Sequence, residues 1–333
     1  MRPLLHASLV NDRYGDPAVY IETLFEKHAL LFDLGDISAL TPRKIRRIEQ
    51  VFVSHAHIDH FFGFDLLLRV LVGREQTVHI FGPEGLIDRV CHKLQAYQWN
   101  LVDRFLCDLI FDVSEFGSSG LARAARLRLK NAFGEEKREI KALPEGVIYD
   151  EPSFQVSAAV LEHRIPCLAF ALQERVHVNI WRNRLTEWNL PVGPWLHELK
   201  RAVVNGLPDD HTIDIPTSKQ QPVRKIPLGE LRAVLTVTPG QKIGYVTDAA
   251  DTVANRQAIV DLVDRADLLF IEAAFAAADA ELAKERAHLT TRAAGEVARA
   301  AGVKRVEPFH LSPRYQGKEK QMIAEVTAAF SGT

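Results

Sequence analysis

Seven consecutive residues, Ser54-His55-Ala56-His57-Ile58-Asp59-His60, concentrate three imidazoles and a carboxylate. Neutral imidazole nitrogens and carboxylate oxygens suit zinc or manganese, and no thiolate stands near them in the sequence. The run EQVFVSH before them is short and rich in β-branched and aromatic residues, so it reads as a buried strand. A helix with Leu and Val at helical spacing follows, ending at Gly73. Side chains two apart at a strand end point the same way, so His55 and His57 share one side. The turn into the helix can bring Asp59 and His60 round to a second position. One such cluster cannot fill two metal spheres. Further donors stand at other strand ends: His163 after FQVSAAVLE, Asp248 after KIGYVT and His310 after KRVEPF. Taken singly, each has a plain alternative as a satisfied surface group or a helix cap. Together they sit where α/β sheets bind ligands, at the carboxyl ends of strands.

The elements that carry these residues alternate strand and helix, the rhythm of an α/β fold. AVYIETL, ALLFDLG, EQVFVSH and TVHIFGP read as strands, and TPRKIRRI and PEGLIDRVCHKLQAYQ as helices. Residues about 116–145 read as a charged insertion: a loop EFGSSG, then LARAARLRLKNAFGEEKREIK as a helix with seven basic and three acidic residues. FQVSAAVLEH and ALQERVHVNI read as strands. Residues about 181–228 show no clear periodicity and include the loop GLPDDHTIDIPTSKQQP. A connection this long is functional or mobile. From Leu231 the alternation resumes with strands LRAVLTVTP, KIGYVTD, DLLFIEA and KRVEPFH, and with helices at 254–265, about 276–286, 290–301 and the end of the chain.

Composition narrows the classes. The 333 residues are 47% hydrophobic and 25% charged, with formal net charge −2. That excludes a dominantly disordered chain and a globally basic nucleic-acid coat. No apolar run reaches the roughly 18 residues that cross a bilayer, and the N-terminus carries no secretory signal. Cys91, Cys107 and Cys167 form neither a disulfide framework nor a zinc knuckle, so a reducing cytoplasm is expected. Seven of the 13 histidines (His6, His28, His79, His92, His177, His197, His211) have no partner pattern.

The motif H-x-H-x-D-H after a strand resembles the metallo-β-lactamase superfamily. Within it the chain is similar to the ribonuclease Z branch, the endonucleases that remove 3′ trailers from precursor tRNA. The resemblance runs through LLFDLGD, VFVSHAHIDHFFGFDLLL, HIFGPEGL, LEHRIPCLAFAL, NLPVGPWLHELK, IGYVTDAADT, DLLFIEAAF, AHLTTRAAGEVA and EPFHLSPRY. HRIPCLAF, AHLT and HLSPRY are its specific pieces. The resemblance implies an αβ/βα four-layer sandwich of two mixed β-sheets with helices outside, a single domain over 1–333. It implies two divalent ions, zinc in the first instance, with manganese or iron as alternatives. His55, His57, His163 and Asp248 would hold one; Asp59, His60, His310 and the shared Asp248 would hold the other. Asp59 would also accept a proton from the attacking water. His288 would be no ligand but a proton donor or charge stabiliser for the leaving oxygen, oriented by Glu272. Asp33 would bond the free nitrogen of a ligand histidine, and Ser312 and Arg314 would touch phosphate. The 181–228 segment would be a substrate arm, and a homodimer is implied. The alternative is a phosphodiesterase of the same fold acting on a small phosphodiester or a cyclic nucleotide.

Overall fold

A computed structural model of the chain describes residues 5–23, 28–140, 143–216 and 223–333. Parts of AVYIETL, of the charged stretch ending at Lys141 and of the loop GLPDDHTIDIPTSKQQP lie outside these residues.

The chain divides into two compact units. One is built from 1–173 and 241–333, the other from Glu174–Gly240. In the first, an eight-stranded sheet runs in chain order: β1 (Leu5–Leu9), β2 (Val19–Thr23), β3 (Ala29–Phe32), β4 (Ile48–Phe52), β5 (Gln76–Pro83), β6 (Leu109–Gly117), β7 (Gly120–Arg128) and β8 (Glu135–Lys137). Pairings β3–β4, β4–β5 and β5–β6 are parallel; the others are antiparallel. The second sheet begins with β9 (Val147–Asp150), β10 (Phe154–Glu162) and β11 (Pro166–Glu174). It is completed by β16 (Lys242–Val246), β17 (Leu268–Glu272) and β18 (Val306–Phe309), the intervening four strands belonging to the other unit. Its order is β18-β17-β16-β11-β10-β9, with parallel pairs at β16–β17 and β17–β18 and an antiparallel pair at β11–β16.

Period-two patterning sorts the apolar residues into layers. In β3, Leu30 and Phe32 enter the core between the sheets, while Ala29 and Leu31 face the helices. In β17, Leu268 and Phe270 face inward, and Leu269 and Ile271 face the other helical layer. Phe32 stacks on Phe170 at 5.5 Å and on Tyr245 at 5.3 Å, joining the two sheets through aromatic rings. Helices Phe64–Leu71 and Leu86–Gln95 cover the first sheet. Helices Val253–Val263 and Thr291–Ala300 cover the second. The layers therefore run helix, sheet, sheet, helix.

The 116–145 stretch is not a helical insertion. GSSG is the turn of a hairpin, with Gly117 paired to Gly120, and the Ala- and Arg-rich run is β7. Ala, Arg and Leu favour helices, yet here period two wins. Ala125 and Leu127 are buried, while Arg126 alternates with them and reaches across to Asp112 on β6 at 2.8 and 2.9 Å. Arg128 bonds Asp108 at 2.8 Å. Each arginine answers a buried carboxylate, Asp112 within the neighbouring strand and Asp108 just before it.

Two other readings change. ALQERVHVNI is not one strand: its start belongs to β11, and β12 (His177–Ile180) is separate. LRAVLTVTP is helical through Val234 and extended only in β15 (Leu235–Thr238), the partner of β12. The unit Glu174–Gly240, which contains the 181–228 segment, is structured rather than irregular in its described residues. It holds helices Arg182–Glu187 and Trp195–Val204 and a second antiparallel pair, β13 (Thr212–Ile215) with β14 (Arg224–Pro227). Leu185, Trp195, Leu199, Ile213, Ile226 and Leu231 are among the residues of its own core.

Candidate metal centre

The functional side chains converge from five strand ends of the first unit. His55 and His57 follow β4, and His57 is the last extended residue before the short helix Ile58–Phe61, which carries Asp59 and His60. Close packing of main chain fixes this helix. His60 O accepts from Leu34 N at 2.9 Å, and Gly63 N donates to Leu34 O at 2.7 Å. A Cβ on Gly63 would lie 2.2 Å from Gly35 O, so glycine is required there. His163 follows β10, Asp248 β16, Glu272 closes β17, and His310 follows β18.

Donor atoms of His55, His57, His163 and Asp248 lie within 4.8 Å of one another, and so do those of Asp59, His60 and His310. Asp248 divides its oxygens between the groups. Oδ2 stands 3.3 Å from His163 Nε2 and 3.7 Å from His55 Nε2. Oδ1 stands 3.1 Å from His310 Nδ1 and 3.5 Å from His60 Nε2. Asp59 Oδ2 is 3.4 Å from His310 Nε2 and 3.5 Å from His60 Nε2.

The nitrogens turned away from this centre are tied down. His163 Nδ1 donates to Ala287 O at 2.7 Å, leaving Nε2 as the free lone pair. His60 Nδ1 stands 2.9 Å from Asp33 Oδ2. Asp33 also accepts from Ser54 N (2.6 Å), Ser54 Oγ (2.7 Å) and Tyr245 OH (2.7 Å). His55 Nδ1 lies 3.0 Å from Ser54 Oγ and 3.6 Å from Cys167 Sγ. By contrast, His60 Nε2 and His310 Nδ1 are buried without a hydrogen-bond partner among the described residues. Buried polar atoms are ordinarily satisfied, and imidazole nitrogens left unpartnered beside a carboxylate suit a cation.

Charge tells the same story. Burial raises the Asp248 carboxyl, but His310 and His60 outweigh it and hold it well below the usual range. Burial opposes a charge on His60, yet Asp248 and Asp33 push it up to about 10. His310 is likewise raised against its burial by Asp248 and by Asp59. His55, stripped of water and beside other imidazoles, is pulled down to about 2. Burial, His163 and His60 also lower His57. Carboxylates buried here demand positive charge. The site suits a divalent metal ion.

Beside the donors opens a cleft of about 590 Å³, lined by Tyr14, Asp16, Asp59, Phe275, Arg286, His288, His310, Ser312 and Arg314 among others. Here His288 Nδ1 stands 2.9 Å from Glu272 Oε2. The fully buried Glu272 also accepts from Ala249 N (2.7 Å) and Leu289 N (3.2 Å) through Oε1. Burial opposes a charge on His288, but Glu272 outweighs it, so the imidazole is raised. His288 also comes within 4.8 Å of Asp248 and His310 donors.

All residues singled out in the sequence for chemistry thus lie in or beside one centre. The seven unassigned histidines join none of its donor groups among the described residues. Sequence reading missed Ser54, Tyr245, Ala287 and Arg286. Ser54 was signalled by its place in the histidine run, and Tyr245 by its hydroxyl in the apolar strand before Asp248. The carbonyl of Ala287 had no signal, since its role depends only on backbone position.

No protein-family model matches the chain. Proteins named ribonuclease Z do. That of Deinococcus radiodurans is 29% identical over 334 residues, covering 98% of this chain and 96% of its own. That of Geobacillus kaustophilus is 31% identical over 326 residues, covering 95% and 89%. That of Synechocystis sp. is 33% identical over 297 residues, covering 87% and 76%. Among solved structures, the short form of human tRNase Z aligns with TM-score 0.53 at 21% identity, covering 94% of this chain and 92% of its own. A metallo-β-lactamase fold protein from Bacillus subtilis aligns with TM-score 0.55 at 15% identity, covering 98% and 92%. The structures establish the fold as the metallo-β-lactamase sandwich. With identity above 30% across most of both chains, the sequence belongs to the ribonuclease Z family.

Proposed function

We propose that this chain is a metal-dependent endoribonuclease that removes 3′ trailers from precursor tRNA. The observation that carries the reading is the division of Asp248, one oxygen toward each donor group, at the edge of a cleft holding the His288–Glu272 pair. His55, His57, His163 and Asp248 would hold one divalent ion. Asp59, His60, His310 and Asp248 would hold a second, with zinc the first candidate for both. When bound, such ions supply Lewis-acid chemistry: a water of lowered pKa and neutralised phosphate charge.

This chain's own residues do the rest. Asp33 keeps a proton on His60 Nδ1, so that Nε2 stays available as a donor. Asp59, whose side chain is 39% exposed, borders the cleft and can accept a proton from the attacking water. His288 carries a proton that Glu272 stabilises, and gives it to the 3′ oxygen as the ester bond breaks. Ser312 and Arg314, in the wall beside His310, hold phosphate oxygens. The named relatives support precursor tRNA as substrate. The segment 181–228 would grip that substrate as an arm on one metallo-β-lactamase-fold domain, in a homodimer of the cytoplasm. No helix among the described residues is long and apolar enough to cross a membrane.

The test is cleavage of a precursor tRNA carrying a 3′ trailer, with zinc or manganese added and the product ends mapped, Asp248→Ala serving as control. A cut after the discriminator nucleotide, lost in the variant, is expected. No cut, with hydrolysis of a small nitrophenyl phosphodiester intact, would move the substrate to a small phosphodiester or cyclic nucleotide.

A further inference from the structure

His310 is presented in an unusual way. Its φ of 54° lies in the left-handed region, which is uncommon for a residue with a side chain although histidine enters it more readily than most. It follows β18, the edge strand of its sheet, whose outward carbonyls have no neighbouring strand to bond among the described residues. The loop between β1 and β2 takes that place. The Arg13 guanidinium donates to Pro308 O, two residues before His310, and to the Glu307 carboxylate. Its Nε donates to Glu319 Oε1 at 3.1 Å. Immediately after His310, Leu311 N donates to Arg13 O at 2.8 Å. One residue therefore brackets His310, side chain before it and main chain after it.

The same loop is anchored at its other end. Asn11 Nδ2 donates to Asp36 O at 2.8 Å and to Asp16 O at 2.7 Å, and Gly35 N donates to Pro17 O at 3.1 Å. The loop is thus a strap from the chain just past Asp33 to the chain on both sides of His310. These are strand ends of different sheets.

We propose that Arg13 is a positioning residue for the metal group of Asp59, His60 and His310, holding the edge-strand end in the conformation that presents His310. This rests on the two-ion reading above. Arg13 reaches its three acceptors because a guanidinium is a fork of donors; a lysine ammonium on the same stem cannot span them.

The experiment is calorimetric titration of the metal-stripped full chain with zinc ions, for the wild type, Arg13→Met, Arg13→Lys and Glu319→Gln. The wild type should take up two ions. In Arg13→Met one ion should bind as before and the other about 10–100-fold more weakly, the usual effect of losing a residue that orients a ligand. Arg13→Lys should fall between, and Glu319→Gln should match the wild type because the bond to Pro308 O survives. Unchanged uptake of both ions by Arg13→Met would overturn the assignment. Equal weakening of both ions would also overturn it, since that marks general loosening. Should Arg13→Met not fold, Arg13→Lys carries the test, its loss again confined to one ion. A wild type that takes up fewer than two ions would overturn the two-ion reading itself, and this assignment with it.

Discussion

His288 and His310 both border the cleft, yet their surroundings separate them. His310 faces Asp248 and Asp59 with an unsatisfied nitrogen, the dress of a ligand. His288 has one nitrogen committed to a buried carboxylate that two main-chain N–H groups also hold, the dress of a proton carrier. His288→Ala should therefore retain the bound metal, measured by elemental analysis, while turnover falls by about 10²–10⁴, the range for removing a general acid. Loss of metal would make His288 a ligand instead, which its closeness to Asp248 and His310 makes the sharp alternative. At this scale the sequence was highly legible where donors fall close together, as in His55 to His60. It was legible for single residues only by their shared place at strand ends. Partnerships across long separations were not legible: Tyr245 reaches Asp33 across 212 positions, and no local spacing announces it.

Elements fix the donors by how closely their backbones approach. The helix start bearing Asp59 and His60 lies on the Leu34–Gly35 main chain with no room for a side chain at Gly63. Gly63 has φ −67°, so alanine there would be conformationally ordinary and its effect purely steric. Gly63→Ala should lower stability by about 1–3 kcal/mol, as overpacking does, and should weaken metal binding through displaced Asp59 and His60. Denaturant unfolding of the metal-free protein, with a metal titration, checks both. Elements are also where sequence reading went astray. The run from Leu121 to Leu129 contains good helix formers, and the alternation of arginine with leucine over Arg126–Leu129 was the overlooked signal. Likewise, the apolar residues Trp195, Leu199, Ala202 and Val203 repeat at helical spacing inside a stretch that prolines and tryptophans made look irregular.

Across the whole molecule, the unit Glu174–Gly240 departs from the end of β11 and returns at the start of β16. Those strands are already antiparallel neighbours, with Gln173 opposite Lys242. A tight turn could join them. Replacing 174–240 by a short Gly-containing turn should leave a folded protein that binds metal and hydrolyses a small nitrophenyl phosphodiester, with precursor-tRNA cleavage abolished. Retained tRNA cleavage would count against the arm. Failure to fold would count against the independence of the larger unit.

The Asp33 carboxylate has one more consequence. It takes hydrogen bonds from Ser54 after β4 and from Tyr245 of β16, so it belongs to both sheets, and it also touches His60. An unfolded chain cannot assemble these neighbours, so whatever engages His60 favours the folded state alone. The melting temperature should then act as a gauge of free metal ion. At a thousand times the dissociation constant, one site adds about 4 kcal/mol to folding. A chelator should lower the midpoint and added zinc should restore it, read by simple thermal denaturation without any RNA in the tube.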